Sequence, residues 1–255
     1  MKTYKYLFFA SLVVLILMGC AIALMRYLWS DANKKSMDFA QVYRYAEANR
    51  ELLQAPVKNY RVVFMGNSIT EFWMNMHPEF FTENGYVSRG IAGQVTSQML
   101  LRFREDVLEL SPEVLVLHAG VNDIAENAGP YDEAYTLGNI QTMVELAEAH
   151  GIKVIIASIL PSNHFFWHPD LTDGAVKIAA LNRKIQAYAE SKGIPYVNYY
   201  EKMVYGEELA MNPAYSDDGT HPTQAGYDLM EPMIKAVIDQ TLNSGNGDGD
   251  EGTTD

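Results

Sequence analysis

The feature that most constrains the fold is a regular alternation of short apolar runs and longer amphipathic segments between residues 61 and 242. The runs Glu113–His118 (EVLVLH) and Lys153–Leu160 (KVIIASIL) are continuously β-branched and aliphatic, which is typical of strands covered on both faces. The segments between the runs have apolar residues at helical spacing. Because strands joined by helical crossovers must run parallel, we predict an α/β fold with a parallel sheet between two helical layers.

Five strands and five helices follow from this pattern. The predicted strands are Arg61–Met65, Tyr86–Ser88, Glu113–His118, Lys153–Leu160 and Pro195–Tyr199. The predicted helices are Ser36–Gln54, Thr96–Leu110, Tyr131–His150, Asp173–Lys192 and Thr223–Leu242, the last interrupted near Pro232. Five strands in this order indicate a three-layer, flavodoxin-like sandwich with a five-stranded parallel sheet.

Composition divides the chain into four regions. We expect a membrane anchor or signal segment at residues 1–30, a helical arm at 31–58, one globular domain at 59–242 and a disordered acidic tail at 243–255. The net charge of −13 argues against a nucleic-acid partner, since nucleic-acid binders need a basic face. The single cysteine excludes a disulfide within the chain. The sequence gives no indication of the oligomeric state.

The N-terminal region contains nineteen residues without a charge, Leu7–Met25, between flanking lysines and Arg26. As a helix this run is about 28 Å long, close to the thickness of a bilayer core. It favours an uncleaved anchor, which leaves a cleaved signal with small residues at Ala21 and Ala23, or a lipoprotein lipidated at Cys20, as alternatives. All three place the domain on the outer side of a membrane, in the periplasm or at the cell exterior.

Polar residues follow the predicted strands at the same end of the sheet. Ser68 follows the first strand, Gly93 the second, Asn122 the third, and Asp218 and His221 come after the fifth. Ligands of open parallel sheets bind beyond the carboxyl ends of the strands, so these residues are expected to meet at one edge. Each has an ordinary explanation alone, for example a helix cap for the serine.

Together the five residues supply what acyl transfer requires. A serine hydroxyl needs a base, which His221 can provide, and an imidazole needs an acceptor on its other nitrogen, which Asp218 can provide. Backbone N–H groups of Ser68 and Gly93 and the side-chain amide of Asn122 would donate to the oxyanion. We therefore predict a nucleophilic serine with a histidine base at this edge of the sheet.

These stretches resemble the SGNH (GDSL-type) hydrolase family, whose four blocks appear here in order as GNSIT, RGIAGQ, GVND and DGTHP. The resemblance spans residues 60–242 and implies a flavodoxin-like sandwich with esterase activity. It also implies that Ser68 is the nucleophile, that Gly93 and Asn122 are oxyanion donors, and that Asp218 and His221 complete the triad. Asp217 is an alternative acid, with a spacing to the histidine that is less like that of the family.

Two further expectations come from the resemblance. Asn67 stands where the best-known motif has aspartate, which we expect to alter local electrostatics without abolishing activity. The GNSITEFW stretch is similar to branches that remove acetyl groups from carbohydrates, whereas the location beside a membrane keeps a lysophospholipase or thioesterase as the alternative. A non-catalytic module, such as a nucleotide-binding domain or an inactive glycan-binding relative, is a third possibility. The first strand is followed by one glycine only, which makes a poor phosphate cradle.

Aromatic and histidine residues near these motifs have two interpretations. We expect Trp73, Phe165, Phe166 and Trp167 to line a substrate cleft, although core packing is an equal alternative for Trp73. His164 and His168 have the spacing of metal ligands but no neighbouring cysteine or acidic group of the usual kind. We therefore predict neither a metal nor another cofactor.

Overall fold

The computed structural model describes residues 2–244, and in its first helix the side chains of residues 2, 3, 7, 8 and 31–37 lie outside the description. The chain forms two compact units, residues 1–41 and 42–255. The first unit is built on helix α1 (Lys2–Met37), and its stretch Tyr4–Ser30 is long and apolar enough to cross a membrane. Most of the tail predicted to be disordered, from residue 245 on, lies outside the described residues.

The second unit contains the predicted five-stranded parallel sheet. Its strands are β1 (Val62–Gly66), β2 (Tyr86–Gly90), β3 (Val114–His118), β4 (Lys153–Ala157) and β5 (Tyr196–Val197). They lie in the order β2-β1-β3-β4-β5, and every pair is parallel. This is the flavodoxin-like order, in which the chain reverses direction across the sheet between β1 and β3. The predicted fold class is confirmed, and its ligand crevice lies above those two strands.

Helices cover both faces of the sheet. Those of the second unit are α2 (Ala46–Gln54), α3 (Ser68–Met76), α4 (Pro78–Thr82), α5 (Thr96–Leu101), α6 (Val121–Ile124), α7 (Glu133–Ala149), α8 (Gly174–Lys192), α9 (Tyr199–Met203) and α10 (Gln224–Asn243). A π-helical turn at Arg104–Leu108 follows α5, and a small antiparallel pair, β6 (Val204–Tyr205) and β7 (Ala210–Met211), precedes α10.

The core explains why β1 is continuously apolar. Val62, Val63, Phe64 and Met65 are each at most 2% exposed, so side chains on both faces of the strand are buried. Burial of one such side chain contributes about 1.5–3 kcal/mol relative to exposure. A strand of this kind belongs in the centre of a covered sheet, and β1 lies between β2 and β3.

Two predicted helices are shorter than expected. Helix α1 continues past the expected N-cap Ser36, and α2 begins only at Ala46, because the intervening turn contains Gln41 in the left-handed region at φ 51°. The helix predicted at Thr96–Leu110 ends at Leu101, and Arg102 then leaves α-helical geometry. Its guanidinium is fully buried, and the π-helical turn that follows sets Asp106 against it.

Two other predictions need correction. Helix α10 is continuous through Pro232, because the missing proline N–H removes one hydrogen bond only, and buried Met230 and Ile234 anchor both sides of it. The fifth strand has two residues, since helix α9 begins at Tyr199.

Candidate active site

Ser68 is the first residue of helix α3, directly beyond β1. Asn67 caps the helix, and its side-chain oxygen accepts a hydrogen bond of 3.0 Å from the N–H of Ile69. The preceding Gly66 permits a close approach, since a Cβ there would lie 2.1 Å from Thr70 Oγ1. The first N–H groups of a helix have no acceptor within it, so the Ser68 N–H is available to a ligand.

The serine hydroxyl meets the predicted histidine. Ser68 Oγ lies 2.9 Å from His221 Nε2, across 153 positions of sequence. His221 Nδ1 lies 2.7 Å from Asp218 Oδ2. Asp217, the alternative acid, is exposed, and its neighbour Asp218 makes the contact with the imidazole. The three side chains therefore form the hydrogen-bonded order that nucleophilic catalysis requires.

The carboxylate of Asp218 is held by its own turn. Its Oδ1 accepts hydrogen bonds from the N–H of His221 at 2.7 Å, the N–H of Thr220 at 2.9 Å and the hydroxyl of Ser216 at 3.2 Å. Burial would raise the pKa of Asp218, but the bonds from His221 and Thr220 outweigh burial, and the pKa lies below its ordinary value. The carboxylate is thus kept charged beside the imidazole.

The second part of the candidate site is the loop Ala92–Gln94, which follows β2 and contains the predicted oxyanion donor Gly93; we call it the oxyanion loop. Gly90, at the end of that strand, packs so closely on helix α3 that a Cβ there would lie 2.3 Å from the Glu71 backbone nitrogen. Gly93 has φ +77°, a conformation that favours glycine. Among the described residues the Gly93 N–H has no acceptor. It is therefore a free donor at the rim of the site.

Asn122 lies in helix α6, after β3, and contacts the same loop. Its Nδ2 donates a hydrogen bond of 2.9 Å to the carbonyl of Gln94. A primary amide has two N–H groups, so the second can serve an oxyanion. The neighbouring Asp123 accepts bonds from the N–H and hydroxyl of Thr96, at 3.0 and 2.5 Å, and so fixes α6 against α5.

Three supports of the oxyanion loop were missed by sequence reasoning. The N–H of Ala92 donates to Glu71 Oε2 at 2.6 Å, and Asn127 Nδ2 donates to the carbonyl of Gly93 at 3.1 Å. Arg102 Nε donates to Gln94 Oε1 at 2.6 Å. The signal for Glu71 was its position three residues after the serine, which places it one helical turn away. Nothing in the sequence distinguishes Asn127 from other loop asparagines.

Arg102 also ties the two strands that carry the site. Its Nη2 donates to the carbonyls of Gly66 at 3.1 Å and Arg89 at 2.9 Å, and its Nη1 lies 2.8 Å from Asp106 Oδ2. Burial lowers the pKa of Arg102, and the carboxylate of Asp106 acts in the opposite direction. A buried ion pair is costly to break, since removal of one partner leaves an uncompensated charge.

The predicted cleft aromatics separate into two groups. Trp73 and Phe165 are at most 2% exposed and pack in the core, which does not agree with a place in a cleft. Trp73 stacks on Phe80, with ring centroids 5.1 Å apart. Phe166 and Trp167 are 62% and 37% exposed, and the Trp167 ring lies 6.1 Å from that of His221.

Phe72 was missed by sequence reasoning. Its ring lies 5.3 Å from the imidazole of His221, on the side formed by helix α3. The imidazole is therefore flanked by two aromatic rings, those of Phe72 and Trp167.

The histidines considered as metal ligands serve loop contacts. His164 Nδ1 lies 2.9 Å from Asn163 Oδ1, and His168 Nδ1 lies 3.1 Å from the carbonyl of Ala125. A different group of possible ligands, His77, Asp228 and Glu231, has its ligand atoms within 4.8 Å of one another. There, His77 Nδ1 lies 2.8 Å from Glu231 Oε1, an oxygen that also accepts from Trp73 Nε1 at 3.0 Å. These hydrogen bonds account for the proximity of His77 and Glu231, and Asp228 lies farther from His77, at 3.9 Å. The absence of a metal or other cofactor stays a prediction.

Comparisons with known proteins identify similar chains. The model of the GDSL-like Lipase/Acylhydrolase family matches residues 64–229. A solved GDSL-like lipase from Bacteroides thetaiotaomicron is 54% identical, with 79% of this chain and 98% of that one covered and a TM-score of 0.77. A Bacteroides fragilis protein described as an acylhydrolase is 55% identical, with 80% and 98% covered and a TM-score of 0.77. The uncharacterized lipoprotein YqeF of Bacillus subtilis is 31% identical over 91 residues, which are 32% of this chain and 37% of that protein.

Proposed function

Because this chain belongs to the GDSL-like lipase/acylhydrolase family, whose members hydrolyse esters, we propose that it is an exported serine esterase that works through an acyl-enzyme. The observation that carries the proposal is the hydrogen-bonded order Ser68, His221, Asp218, in which the first two residues are 153 positions apart. A purely structural role for the histidine would not require its imidazole to join a serine hydroxyl to a carboxylate.

In the proposed reaction His221 Nε2 takes the proton of the Ser68 hydroxyl as the oxygen attacks the ester carbonyl. Asp218 stabilises the positive charge of the resulting imidazolium by accepting the hydrogen bond of its Nδ1–H. The tetrahedral oxyanion accepts hydrogen bonds from the N–H groups of Ser68 and Gly93 and from the amide of Asn122. Each such donor typically contributes about 10²–10³-fold to kcat. His221 then gives its proton to the leaving alcohol, and water hydrolyses the acyl-enzyme by the same route in reverse.

For the substrate we propose a small acyl group, most often acetyl, on a carbohydrate. The exposed rings of Phe166 and Trp167 support this proposal, because Trp167 lies beside the histidine that protonates the alcohol and Phe166 packs against Trp167. Flat aromatic faces suit the apolar faces of sugar rings. A lysophospholipase or thioesterase-like acylhydrolase is the second candidate, favoured by the apolar helix next to the domain in sequence.

An inactive glycan-binding relative is the non-enzymatic alternative. The intact hydrogen bonds of the triad argue against it, since a binding module gains nothing from a serine 2.9 Å from an imidazole. Within the esterase class, the exposed rings of Phe166 and Trp167 and the resemblance of the GNSITEFW stretch to acetyl-removing branches support the carbohydrate acetate.

For localisation we propose an uncleaved anchor that holds the domain in the periplasm or at the cell exterior. The stretch Tyr4–Ser30 has 27 residues, about 40 Å as a helix, which is enough to span a bilayer core. The lipoprotein YqeF supports export in general, and lipidation of Cys20 in this chain is the alternative.

The function is tested with Ser68→Ala in the full chain. We expect hydrolysis of p-nitrophenyl acetate to disappear with an unchanged melting temperature, because the removed hydroxyl is the nucleophile. Ser191→Ala, an exposed serine on α8, is the matched control and should keep full activity. Undiminished turnover by the Ser68 variant would remove the mechanism. A rate that rises steeply from acetyl to palmitoyl esters would replace the acetylesterase proposal by the second candidate.

A further inference from the structure

A chain of two hydrogen bonds joins an exposed aromatic ring to the oxyanion loop. Trp167 Nε1 donates to Asn127 Oδ1 at 2.8 Å, and Asn127 Nδ2 donates to the carbonyl of Gly93 at 3.1 Å. The side-chain amide of Asn127 accepts one bond through its oxygen and donates the other through its nitrogen. The indole N–H therefore helps to orient this amide, and the amide in turn helps to hold the carbonyl of Gly93 in place. None of these contacts is required by the triad.

The indole lies on the alcohol side of the proposed reaction. Its ring centroid is 6.1 Å from that of His221, the group that gives its proton to the leaving alcohol. Phe166 extends the same surface, with its ring 4.8 Å from that of Trp167. An alcohol with a flat apolar face can therefore stack on Trp167 while its oxygen remains near the imidazole.

Asn127 holds the peptide of Gly93, in the middle of the loop. Glu71 accepts from the N–H of Ala92, and Asn122 donates to the carbonyl of Gln94. Between these two points lies Gly93, which has no Cβ and φ +77° and so has the most backbone freedom in the loop. In the part of the chain that the structure describes, its carbonyl accepts a side-chain bond from Asn127.

Resting on the esterase function proposed above, we propose that Asn127 is a positioning residue that couples Trp167 to the oxyanion donor Gly93, so that a pyranose ring bound on the indole increases turnover of its ester. Asn127 is exposed in the free protein, so water competes for both bonds. A sugar stacked on Trp167 excludes that water, and hydrogen bonds strengthen where the local dielectric constant falls. Binding energy from a remote part of the substrate is then used in the transition state, which raises kcat more than it lowers KM.

The test compares two acetate esters and two substitutions in the full chain. Asn127→Ala removes the link, and Trp167→Phe keeps a stacking ring but removes the N–H donor. With an acetylated methyl xylopyranoside we expect kcat to fall about five-fold in each variant, the factor expected for one neutral hydrogen bond, with KM unchanged. With ethyl acetate, whose alcohol has no ring and leaves both bonds open to water, we expect a smaller loss of about two-fold in each variant. The double variant should show the loss of one single variant, because both substitutions break the same chain.

The control is Asn163→Ala, a partly exposed asparagine of the loop before Trp167. Its Nδ2 donates to Glu208 at 3.3 Å and its Oδ1 lies 2.9 Å from His164 Nδ1, and its kinetics should equal those of the wild type. Wild-type kcat for Asn127→Ala on the sugar acetate would overturn the proposal. Equal losses with ethyl acetate, or losses that multiply in the double variant, would overturn the coupling as well. Failure of the esterase function itself is recognised separately, by activity that persists in Ser68→Ala.

Discussion

The turn that carries the proposed acid and base and the loop that carries the proposed oxyanion donor are built in different ways. In the turn at residues 218–221, the carboxylate of Asp218 forms hydrogen bonds with the backbone N–H and with the ring nitrogen Nδ1 of His221. Four consecutive residues therefore fix the geometry of the turn. The oxyanion loop at residues 92–94 is held instead by Glu71, Asn122 and Arg102, which lie on three other elements. The internal geometry of the turn is therefore set by local sequence, whereas that of the loop depends on contacts with distant segments.

The largest effect is expected in the turn. Asp218→Asn keeps the shape of the side chain but removes the charge that orients His221 and stabilises its protonated form. We expect kcat to fall about 10⁴-fold, as for loss of the corresponding charge in other triads. Steady-state kinetics with p-nitrophenyl acetate measure this change, and Asp217→Asn, an exposed neighbour, is the matched control. A strong loss in the control with a weak loss in Asp218→Asn would move the acid to the alternative position.

The turn at residues 218–221 and the sheet below it differ in their response to acid. Hydrogen bonds keep Asp218 charged and its pKa low, so its contribution to stability is lost only as the pH falls below about 4, the pKa of an unfolded aspartate. His118, at the end of β3 and paired in register with Gly66, is buried, with 6% of its surface exposed, and burial lowers its pKa to about 4.

This histidine predicts a loss of stability in mild acid. In the unfolded chain a histidine binds its proton near pH 6.5, so between that pH and about 4 the unfolded state holds more protons than the folded state. Stability should therefore fall with pH, by about 3 kcal/mol in total. Urea unfolding at pH 7 and pH 4.5 measures the change, and His118→Gln should remove most of it. An unchanged pH dependence in that variant would assign the acid sensitivity to another group.

A smaller effect is expected at the support of the loop. Glu71→Gln keeps a side-chain oxygen near the N–H of Ala92 but removes the charge and the ion pair with Arg44, whose Nη2 lies 3.1 Å from Glu71 Oε1. Because charge-assisted hydrogen bonds are stronger than neutral ones, we expect kcat to fall about ten-fold with KM unchanged. An increase in KM with unchanged kcat would show that Glu71 acts in substrate binding instead of positioning the loop.

This comparison explains how much could be predicted from the sequence. The alternation of strands and helices defined the sheet, because buried parallel strands such as β3 are continuously apolar. The rule that ligands bind beyond the carboxyl ends of strands placed Ser68 and His221 at one edge before their distance of 2.9 Å was known. Both inferences use short-range patterns with a physical cause that local sequence expresses.

What could not be predicted depends on contacts between distant segments. Asn127 and Phe72 look ordinary in sequence, and only the fold brings them to Gly93 and His221. The predicted end of helix α5 was also wrong. The helix ends early because the buried guanidinium of Arg102 forms hydrogen bonds with carbonyls of two strands. Phe165, expected in a cleft, lies in the core, and Trp73 packs there on Phe80, as its alternative interpretation predicted.

The central claim, that Ser68 is the nucleophile activated by His221, is tested most directly by covalent labelling. A fluorophosphonate reacts with a serine only where a base and an oxyanion site activate the hydroxyl. After incubation of the full chain and proteolysis, mass spectrometry should find the phosphonyl adduct on the peptide that contains Ser68, and the adduct should be absent in His221→Ala. An adduct on a different residue, or an unlabelled protein that still hydrolyses esters, would contradict the claim.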